Sequence, residues 1–418
     1  MLDINLILNN ADDVKEKLES RGFKLNIDLI LKLSLERKKL IGIKESLAAE
    51  KNKVSDKFKK LTSDQDKKNL KSESKELELN INKNKLLLID IESQLNKVLL
   101  EIPNIPSIDT PVGLDESANV VIKTWGTTHS SKKDHSELLS KNGFLDFEAG
   151  VSVSKSRFTV MKGEIAKLHR ALITFMLNMH TSEHEYCEYN VPYIVNESSL
   201  IGTGQLPKFK EDLFKIDGEQ LYLIPTAEVP LTSIYKNKIL SKNELPIKLV
   251  AHTPCFRSEA GAYGKDTKGI IRQHQFEKVE LVQIIDPKDA DDVLETITAH
   301  AEKIMEALNI PYQRVILSTA DLGFSSLKTY DIEAWFPGQN MYREISSCSN
   351  FGDFQSRRLN IKFKEEGTGK KSFVNTLNGS GLAVGRTLAA LVENNIKDDT
   401  IAIPKVLHDL TGFKTIKL

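Results

Sequence analysis

Two stretches of this sequence hold side chains able to grip a nucleotide. In LVAHTPCFRSEAGAYGKDTKGIIRQHQFEKVELVQI, two strand-like apolar runs flank a polar, Gly-rich stretch from Glu259 to Gly269. Arg257 leaves the first run; Arg272 and Phe276 enter the second, with Glu280 four residues further on. Alternate residues of a strand share a face, so Phe276 and Glu280 point the same way. One face of such a hairpin carries an aromatic ring and a carboxylate beside arginines. A phenylalanine stacks under a purine, and a guanidinium forks onto phosphate oxygens. Arg–Glu pairs on strands also serve structural ends, and these residues alone leave both readings open.

The second stretch is NGSGLAVGRTLAALVEN, where Gly379 and Gly381 precede a helix carrying Arg386 near its start. A helix N-terminus favours anions, so Arg386 there could reach a phosphate; it could equally be a surface arginine. Between the two stretches lies YREISSCSN, in which Glu344 is followed by Ser346, Ser347 and Ser349. A carboxylate with a hydroxyl is a hard-oxygen pair for a phosphate-bound Mg²⁺. Gly367, Gly369 and Lys370 look phosphate-friendly, but GxxxxGK[ST] is not satisfied, and a plain loop is the simpler reading. GxGxxG after a strand, HExxH and GxSxG are all missing, which removes the usual support for P-loop, Rossmann, zincin and α/β-hydrolase chemistry.

The elements that must position these residues follow from periodicity. From Ile27 to Ile102 there is no proline. Leu33, Leu40, Leu47, Val54 and Leu61 fall seven apart; after a polar break, Thr62 to Asn69, a second series runs Leu77, Ile81, Leu88, Ile91, Leu95, Val98, Ile102, with Asn84 its polar member. Two helices of ~30 residues fold back most simply as an antiparallel hairpin, an arm roughly 50 Å long at 1.5 Å per residue. Its tip is basic: Lys51, Lys53, Lys57, Lys59, Lys60, Lys67, Lys68 and Lys71 face only Asp56, Asp64 and Asp66. That is either a solvated coiled-coil end or a probe for a phosphate backbone. Pro103, Pro106 and Pro111 then mark a linker. The domains expected are residues 1–105, a linker 106–118 and a second domain 119–418. The latter reads as α+β: an amphipathic helix from about Gly163 to His180, further helices at about 291–309 and 381–395, and β-rich runs including IKLVAHTPCFR, KVELVQII, YQRVILST, YDIEAWF and YREISSCS that form an antiparallel sheet bordered by helices.

Composition sets outer bounds. The chain has 418 residues, and its 58 basic and 58 acidic residues cancel, so any charged partner is met by a local patch. Three distant cysteines (Cys187, Cys255, Cys348) with no CxxC exclude a disulfide framework and a cysteine-type zinc cluster. No run approaches ~18 apolar residues, so nothing is expected to span a bilayer. The start, MLDINLILNN, lacks a basic region and cleavage site, and the cytoplasm is the expected location.

The residues also carry a resemblance. Phe256-Arg257-Ser258-Glu259, then Arg272…Phe276…Glu280, then Gly381…Arg386 resemble the motifs of class II aminoacyl-tRNA synthetases. GTGQLPKF, PTAEVPLT, HTPCFRSEAG, REISSCSN and TLNGSGLAVGRT, in this order, are similar to the signatures of the seryl-tRNA synthetases. The resemblance covers nearly the whole chain, with the helical hairpin as the tRNA-binding arm; without a Cys/His set, it is to the bacterial type rather than the zinc-dependent one.

The resemblance implies ATP-dependent attachment of L-serine to tRNA(Ser), and to tRNA(Sec), through seryl-adenylate, with Mg²⁺ and without zinc. Arg257 and Arg386 would be catalytic, on the α- and γ-phosphates. ATP would be met by Arg257, Ser258, Glu259, Arg272, Phe276, Glu344, Ile345, Ser346, Ser347 and Arg386. Serine would be met by Thr226, Ala227, Glu228, Arg257, Glu280, Asn378 and Ser380. The resemblance leaves open which carboxylate reads the hydroxyl; the division taken is Thr226 and Glu228 at the ammonium and Glu280 and Ser380 at the hydroxyl. Glu344 and Ser347 would hold Mg²⁺, the eight lysines of the tip would meet tRNA, and the 163–192 region would form a homodimer interface, a role the broad apolar face of its helix fits. Two rivals stand beside this: a relative that loads a small amino acid onto a carrier protein, and a non-catalytic coiled-coil RNA-binding relative.

Overall fold

The computed structural model describes residues 1–60, 64–260 and 269–418, with backbone alone for Lys60 and Asp64. It divides into two compact units, Leu2–Glu19 with Phe23–Ile102, and Met1 and Ser20–Gly22 with Pro103–Leu418.

The first unit opens with α1 (Ile4–Asn9) and α2 (Ala11–Glu19). Asp3 caps α1 by accepting the Asn5 N–H at 2.8 Å. Two long helices follow, α3 (Ile27–Lys60) and α4 (Asp64–Leu100). Arg37 pairs with Glu92 at 3.0 Å and Lys51 with Glu78 at 3.3 Å, so an advance along α3 is an equal retreat along α4: the hairpin is antiparallel. Leu33, Leu40, Val54, Leu77, Leu88, Ile91 and Leu95 are buried along the seam. Asn84 is buried among them, and its amide donates to the Leu40 carbonyl at 3.1 Å. A buried amide that must find this partner favours one register over its neighbours. The expected polar break is shorter than its composition implied: α4 has begun by Asp64, since Asp, Gln, Lys and Asn are tolerated in a solvated first turn. Leu61 of the heptad series lies outside the described residues.

The second unit is built on an eight-stranded sheet among the described residues. Its strands are β1 (Val120–Trp125), β2 (Cys187–Glu188), β3 (Ile247–Phe256), β4 (Gln275–Ile285), β5 (Tyr312–Ile316), β6 (Lys328–Phe336), β7 (Met341–Asn350) and β8 (Asn375–Ala383), in the order β1-β5-β6-β7-β8-β4-β3-β2. All neighbours are antiparallel except the edge pair β2–β3. α5 (Gly163–Ser182), α7 (Ala290–Ala307) and α8 (Val384–Asn394) share one apolar cluster with the sheet. Ile165, Leu168, Leu172 and Met176 of α5 and Leu294, Ile297 and Ile304 of α7 meet Val279 and Leu281 of β4 and Leu377 of β8 there. α6 (Glu228–Ser233) lies on other strand residues: its Leu231 joins Leu249, Ala251 and Val282 in a separate cluster.

Three features depart from the sequence reading. The apolar face of α5, read as fitting a subunit interface, is largely taken up by the chain's own core: Ile165, Leu168 and Leu172 are buried there, while Phe175 and Met179 stay half-buried. The Pro-rich segment read as a linker is bonded into the second unit: Asn104 donates to the Ser325 and Phe351 carbonyls at 3.0 and 2.9 Å, and the Ser107 N–H to Leu327 at 2.8 Å. And NTLNGSGLA, too polar and Gly-rich to read as a strand, is β8, a central one.

The physical reason for that last sequence lies in its two faces. Asn378 and Ser380 line an open cleft, while Gly379 and Gly381 turn to the helices. A Cβ on Gly379 would lie 2.4 Å from Ile297 Cγ2 of α7, and one on Gly381 would lie 2.5 Å from His180 Nε2 of α5. Glycine here permits helices to pack directly on the strand backbone. Gly379→Ala should therefore overpack the core and cost about 1–3 kcal/mol, read as a lowered unfolding midpoint in heat or urea; an unchanged midpoint would contradict the packing described.

Candidate active site

The cleft on the open face of the sheet measures about 760 Å³. Arg257, Glu259, Arg272, Phe276, Glu344, Ile345, Ser347 and Arg386 line it, together with Thr226, Glu228, Asn378 and Ser380. The two arginines from distant stretches of sequence thus face one space. A second cleft of about 660 Å³ adjoins it and shares Arg272, Glu344, Ser347 and Arg386.

Each guanidinium is held by backbone. Arg257 follows β3 directly; its N–H donates to the His274 carbonyl at 2.9 Å, its Nε to Pro225 O at 3.3 Å, and its guanidinium carbon stands 5.1 Å from the Phe276 ring centroid. Arg386 lies in the first turn of α8, with Nε on Ile271 O at 3.0 Å and Nη1 on Glu344 O at 2.8 Å. Arg272 pairs with Glu259 at 2.7 Å. Glu259 takes a φ of +50°, a left-handed conformation that costs a non-glycine residue energy and is held here by its surroundings.

The other end of the cleft is lined by buried charge. Glu228 begins α6 and is buried; Gln355 donates to its Oε1 at 2.6 Å. Gln355 is itself oriented by Thr376, which donates to its Oε1 at 2.8 Å. Desolvation, then the neighbouring Glu280 charge, pushes the Glu228 carboxyl up to about 7. Glu280 is fully buried and lies just under the floor rather than on it; Asn378 donates to its Oε1 at 3.2 Å, and Lys278 forms an ion pair with its Oε2. Burial raises the Glu280 carboxyl, while Lys278 and Arg257 act against that rise.

The wall between the two ends carries oxygen donors. Glu344 and Ser347 are three apart, and in an unbroken strand they would face opposite ways. The register of β7 against β6 shifts there, pairing Ser346 with Ile332 but Glu344 with Glu333, so Ile345 is an extra residue. This bulge returns Glu344 to the cleft side with Ser347 and Ser349. Partial desolvation tends to raise the Glu344 carboxyl, but Arg386 and Arg257 outweigh it and hold it below its ordinary value. Asp331, opposite Ser347, has one oxygen, Oδ1, buried without a hydrogen-bond partner among the described residues. Hard oxygen donors with an orphaned carboxylate oxygen behind them fit a small divalent cation such as Mg²⁺.

Three expected contacts fall elsewhere. The Ser258 hydroxyl donates to the Glu211 carbonyl, pinning the strand end to a neighbouring turn. Ser346 is on the helix side, donating to Ser380 O at 2.6 Å. The Ala227 side chain joins the core cluster under α6. Conversely, Lys278 and Gln355 went unread. Lys278 sits between Phe276 and Glu280 in the same alternation and could have been found from it; nothing in the sequence around Gln355 marks it out. On the arm, Lys51, Lys53, Lys57, Lys59, Lys68 and Lys71 are exposed and Lys67 is half-buried, while the Lys60 side chain lies outside the described residues. Lys51 and Lys59 have carboxylate partners, Glu78 and Asp56, at 3.3 and 3.1 Å. No helix of the described residues is long and apolar enough to cross a membrane.

Comparison with known proteins agrees with this geometry. Residues 1–106 match the family model of the seryl-tRNA synthetase N-terminal domain, and 209–395 that of the tRNA synthetase class II core domain (G, H, P, S and T). The serine–tRNA ligases of Pseudomonas fluorescens (strain Pf0-1) and Ectopseudomonas mendocina (strain ymp) are 49% and 48% identical to it, over 99% of this chain and of theirs. Among solved structures, seryl-tRNA synthetase from Pyrococcus horikoshii complexed with ATP superposes with a TM-score of 0.91 at 38% identity, over 100% of this chain and 99% of that one. Cytoplasmic serine–tRNA ligase from Naegleria fowleri, in complex with AMP, gives a TM-score of 0.87 at 30% identity over the same shares. Two arginines and an aromatic ring in one cleft, a class II core around them and an N-terminal helical domain before it have one common explanation: this chain belongs to the seryl-tRNA synthetase family of class II aminoacyl-tRNA ligases.

Proposed function

We propose that the cleft activates L-serine with ATP and transfers it to tRNA(Ser), and to tRNA(Sec), with the residues in the following roles. The observation that carries this is the convergence of Arg257, Arg386 and Phe276 on one space whose far end holds Glu228, Ser380 and, beneath them, Glu280. Phe276 stacks on adenine and Glu259 reads its edge. Arg257 bridges the α-phosphate and the serine carboxylate; Arg386 holds the γ-phosphate, exchanging its present hold on Glu344 for a phosphate oxygen. Thr226 and Glu228 receive the serine ammonium, and Ser380, Asn378 and Glu280 the hydroxyl.

In the first step a serine carboxylate oxygen attacks the α-phosphorus and pyrophosphate leaves. A carboxylate is already ionised at neutral pH, so no general base is needed, and the work of the protein is orientation and stabilisation of developing charge. Glu344 and Ser347 would hold Mg²⁺, which when bound neutralises charge on the polyphosphate. In the second step the terminal ribose hydroxyl of tRNA attacks the seryl carbonyl; AMP leaves, and its phosphate takes the hydroxyl proton. Alanine is refused because it would leave the buried groups around Glu280 unpaired, a discrimination worth up to ~10⁴-fold in a site of this type. The arm of residues 27–102 engages tRNA by shape and phosphates, and the chain acts as a homodimer through the 163–192 region, in the cytoplasm.

Three measurements test the assignment. Serine-dependent ATP–pyrophosphate exchange should disappear in Arg257→Ala, and exchange at the wild-type rate would remove the role given to that guanidinium. Deletion of residues 33–97 should leave exchange largely intact and abolish tRNA charging; charging by the armless chain would refute the arm's role. The pH profile carries a sign. Glu228, raised to about 7 in the free protein, must be ionised to receive an ammonium, so kcat/KM for serine should fall as pH drops through about 7. Glu228→Gln should lower kcat/KM and flatten that acidic limb, whereas retention of the limb would assign it to another group.

A further inference from the structure

Between the ring that meets adenine and the carboxylate that meets serine, the same face of β4 carries a lysine to which neither task has been given. Lys278 is 8% exposed and lines the cleft. A lysine this deeply buried needs a partner, and its partner is Glu280, two residues along the same strand. We infer that Lys278 is a positioning residue for serine recognition, keeping the Glu280 carboxylate ionised and fixed in orientation beneath Ser380. This rests on the serine-site reading above and extends it.

The geometry leaves Glu280 little else to rely on. It is fully buried, and its two oxygens are divided between neighbours: Oε1 accepts from Asn378, and Oε2 faces the Lys278 ammonium. The charged groups around it are Lys278 on its own strand, Arg257 at the end of β3 and Glu228 on α6; Cys255 of β3 is the remaining titratable neighbour, a thiol raised by burial, and Thr226, Asn378 and Ser380 complete the surroundings with neutral groups. Two buried carboxylates thus share two cations. Arg257 leans on the Phe276 ring and is placed to take the substrate's own negative charges. Once it does so, Lys278 is the cation left to hold Glu280 ionised. Without it, burial would drive Glu280 toward its neutral form, and the ion pair at Oε2 would be lost. A hydrogen bond to a charged acceptor is roughly twice as strong as one to a neutral acceptor, so recognition of the hydroxyl would weaken with it.

The discriminating readout is the ratio of kcat/KM for serine to that for alanine in ATP–pyrophosphate exchange, measured across pH. Both amino acids carry an ammonium, so the titration of Glu228 cancels in this ratio, and only groups that read the hydroxyl remain. In Lys278→Met and Lys278→Gln the ratio should fall roughly tenfold at pH 7 and recover as pH rises and Glu280 ionises. Lys278→Arg should keep the wild-type ratio and its flat profile. In Glu280→Gln the ratio should be low at every pH, and adding Lys278→Met to it should lower the ratio no further. Wild-type ratios in both neutral lysine variants, or a pH-independent loss that adds to that of Glu280→Gln, would overturn the role. An unchanged ratio in Glu280→Gln itself would instead overturn the placement of the serine hydroxyl, so the two failures are distinguishable.

Discussion

One sheet has to be greasy on one side and charged on the other, and the period-two alternation of its strands is what allows both. Along β4, Val279 and Leu281 are buried under the helices while Phe276 and Lys278 face the cleft. Along β8 the same rule sets Leu377 and the two glycines against Asn378 and Ser380. A register slip of one residue in either strand would bury the charges and expose the core. The helices α5, α7 and α8 make such a slip costly, because their apolar residues leave no room for a charged side chain on the covered face.

The charged side has its own constraint. Serine carries an ammonium and a carboxylate and ATP carries phosphates, and a cleft with buried walls can meet them only with opposite charge. Glu228 and Glu280 are acids raised by burial, Glu228 also by the Glu280 charge beside it, and Arg257 and Lys278 act against the rise of both. These two acids and two cations are therefore close to electrically balanced among themselves, which limits the cost of burying them. Arg386, hydrogen-bonded to the Glu344 carbonyl and 3.3 Å from its carboxylate, is balanced in the same way.

Much of this was legible in the sequence because it is local. The alternation in QFEKVELVQII, the seven-residue spacing of the arm and the arginine at a helix start each follow from a period or a terminus. What was not legible depends on long-range contacts. β8 reads only as a Gly-containing stretch before a helix; it is a strand because its backbone pairs with β4 and β7, and it carries glycines because Ile297 and His180 occupy the space side chains would need. Gln355 matters through Glu228, 127 positions away. Ser258 and Ser346 stand inside signature motifs yet hydrogen-bond to backbone carbonyls away from the cleft, so membership of a motif did not decide which of its residues faces substrate. The apolar stripe of α5 was visible, but whether it would be covered by the same chain or by another was not.

The extra residue in β7 bears on what this strand will tolerate. At Ile345 the side chain is 1% exposed and apolar, and another aliphatic group would serve the core about as well. What cannot vary is the break in the pairing. With regular pairing Ile345 would oppose Glu333, and Glu344 would turn into the oily layer, away from Ser347, although every chemical group was still present. The wall that carries Glu344 and Ser347 is thus specified by where the ladder slips, and a comparison of relatives that scores only matching letters would miss the feature on which it depends.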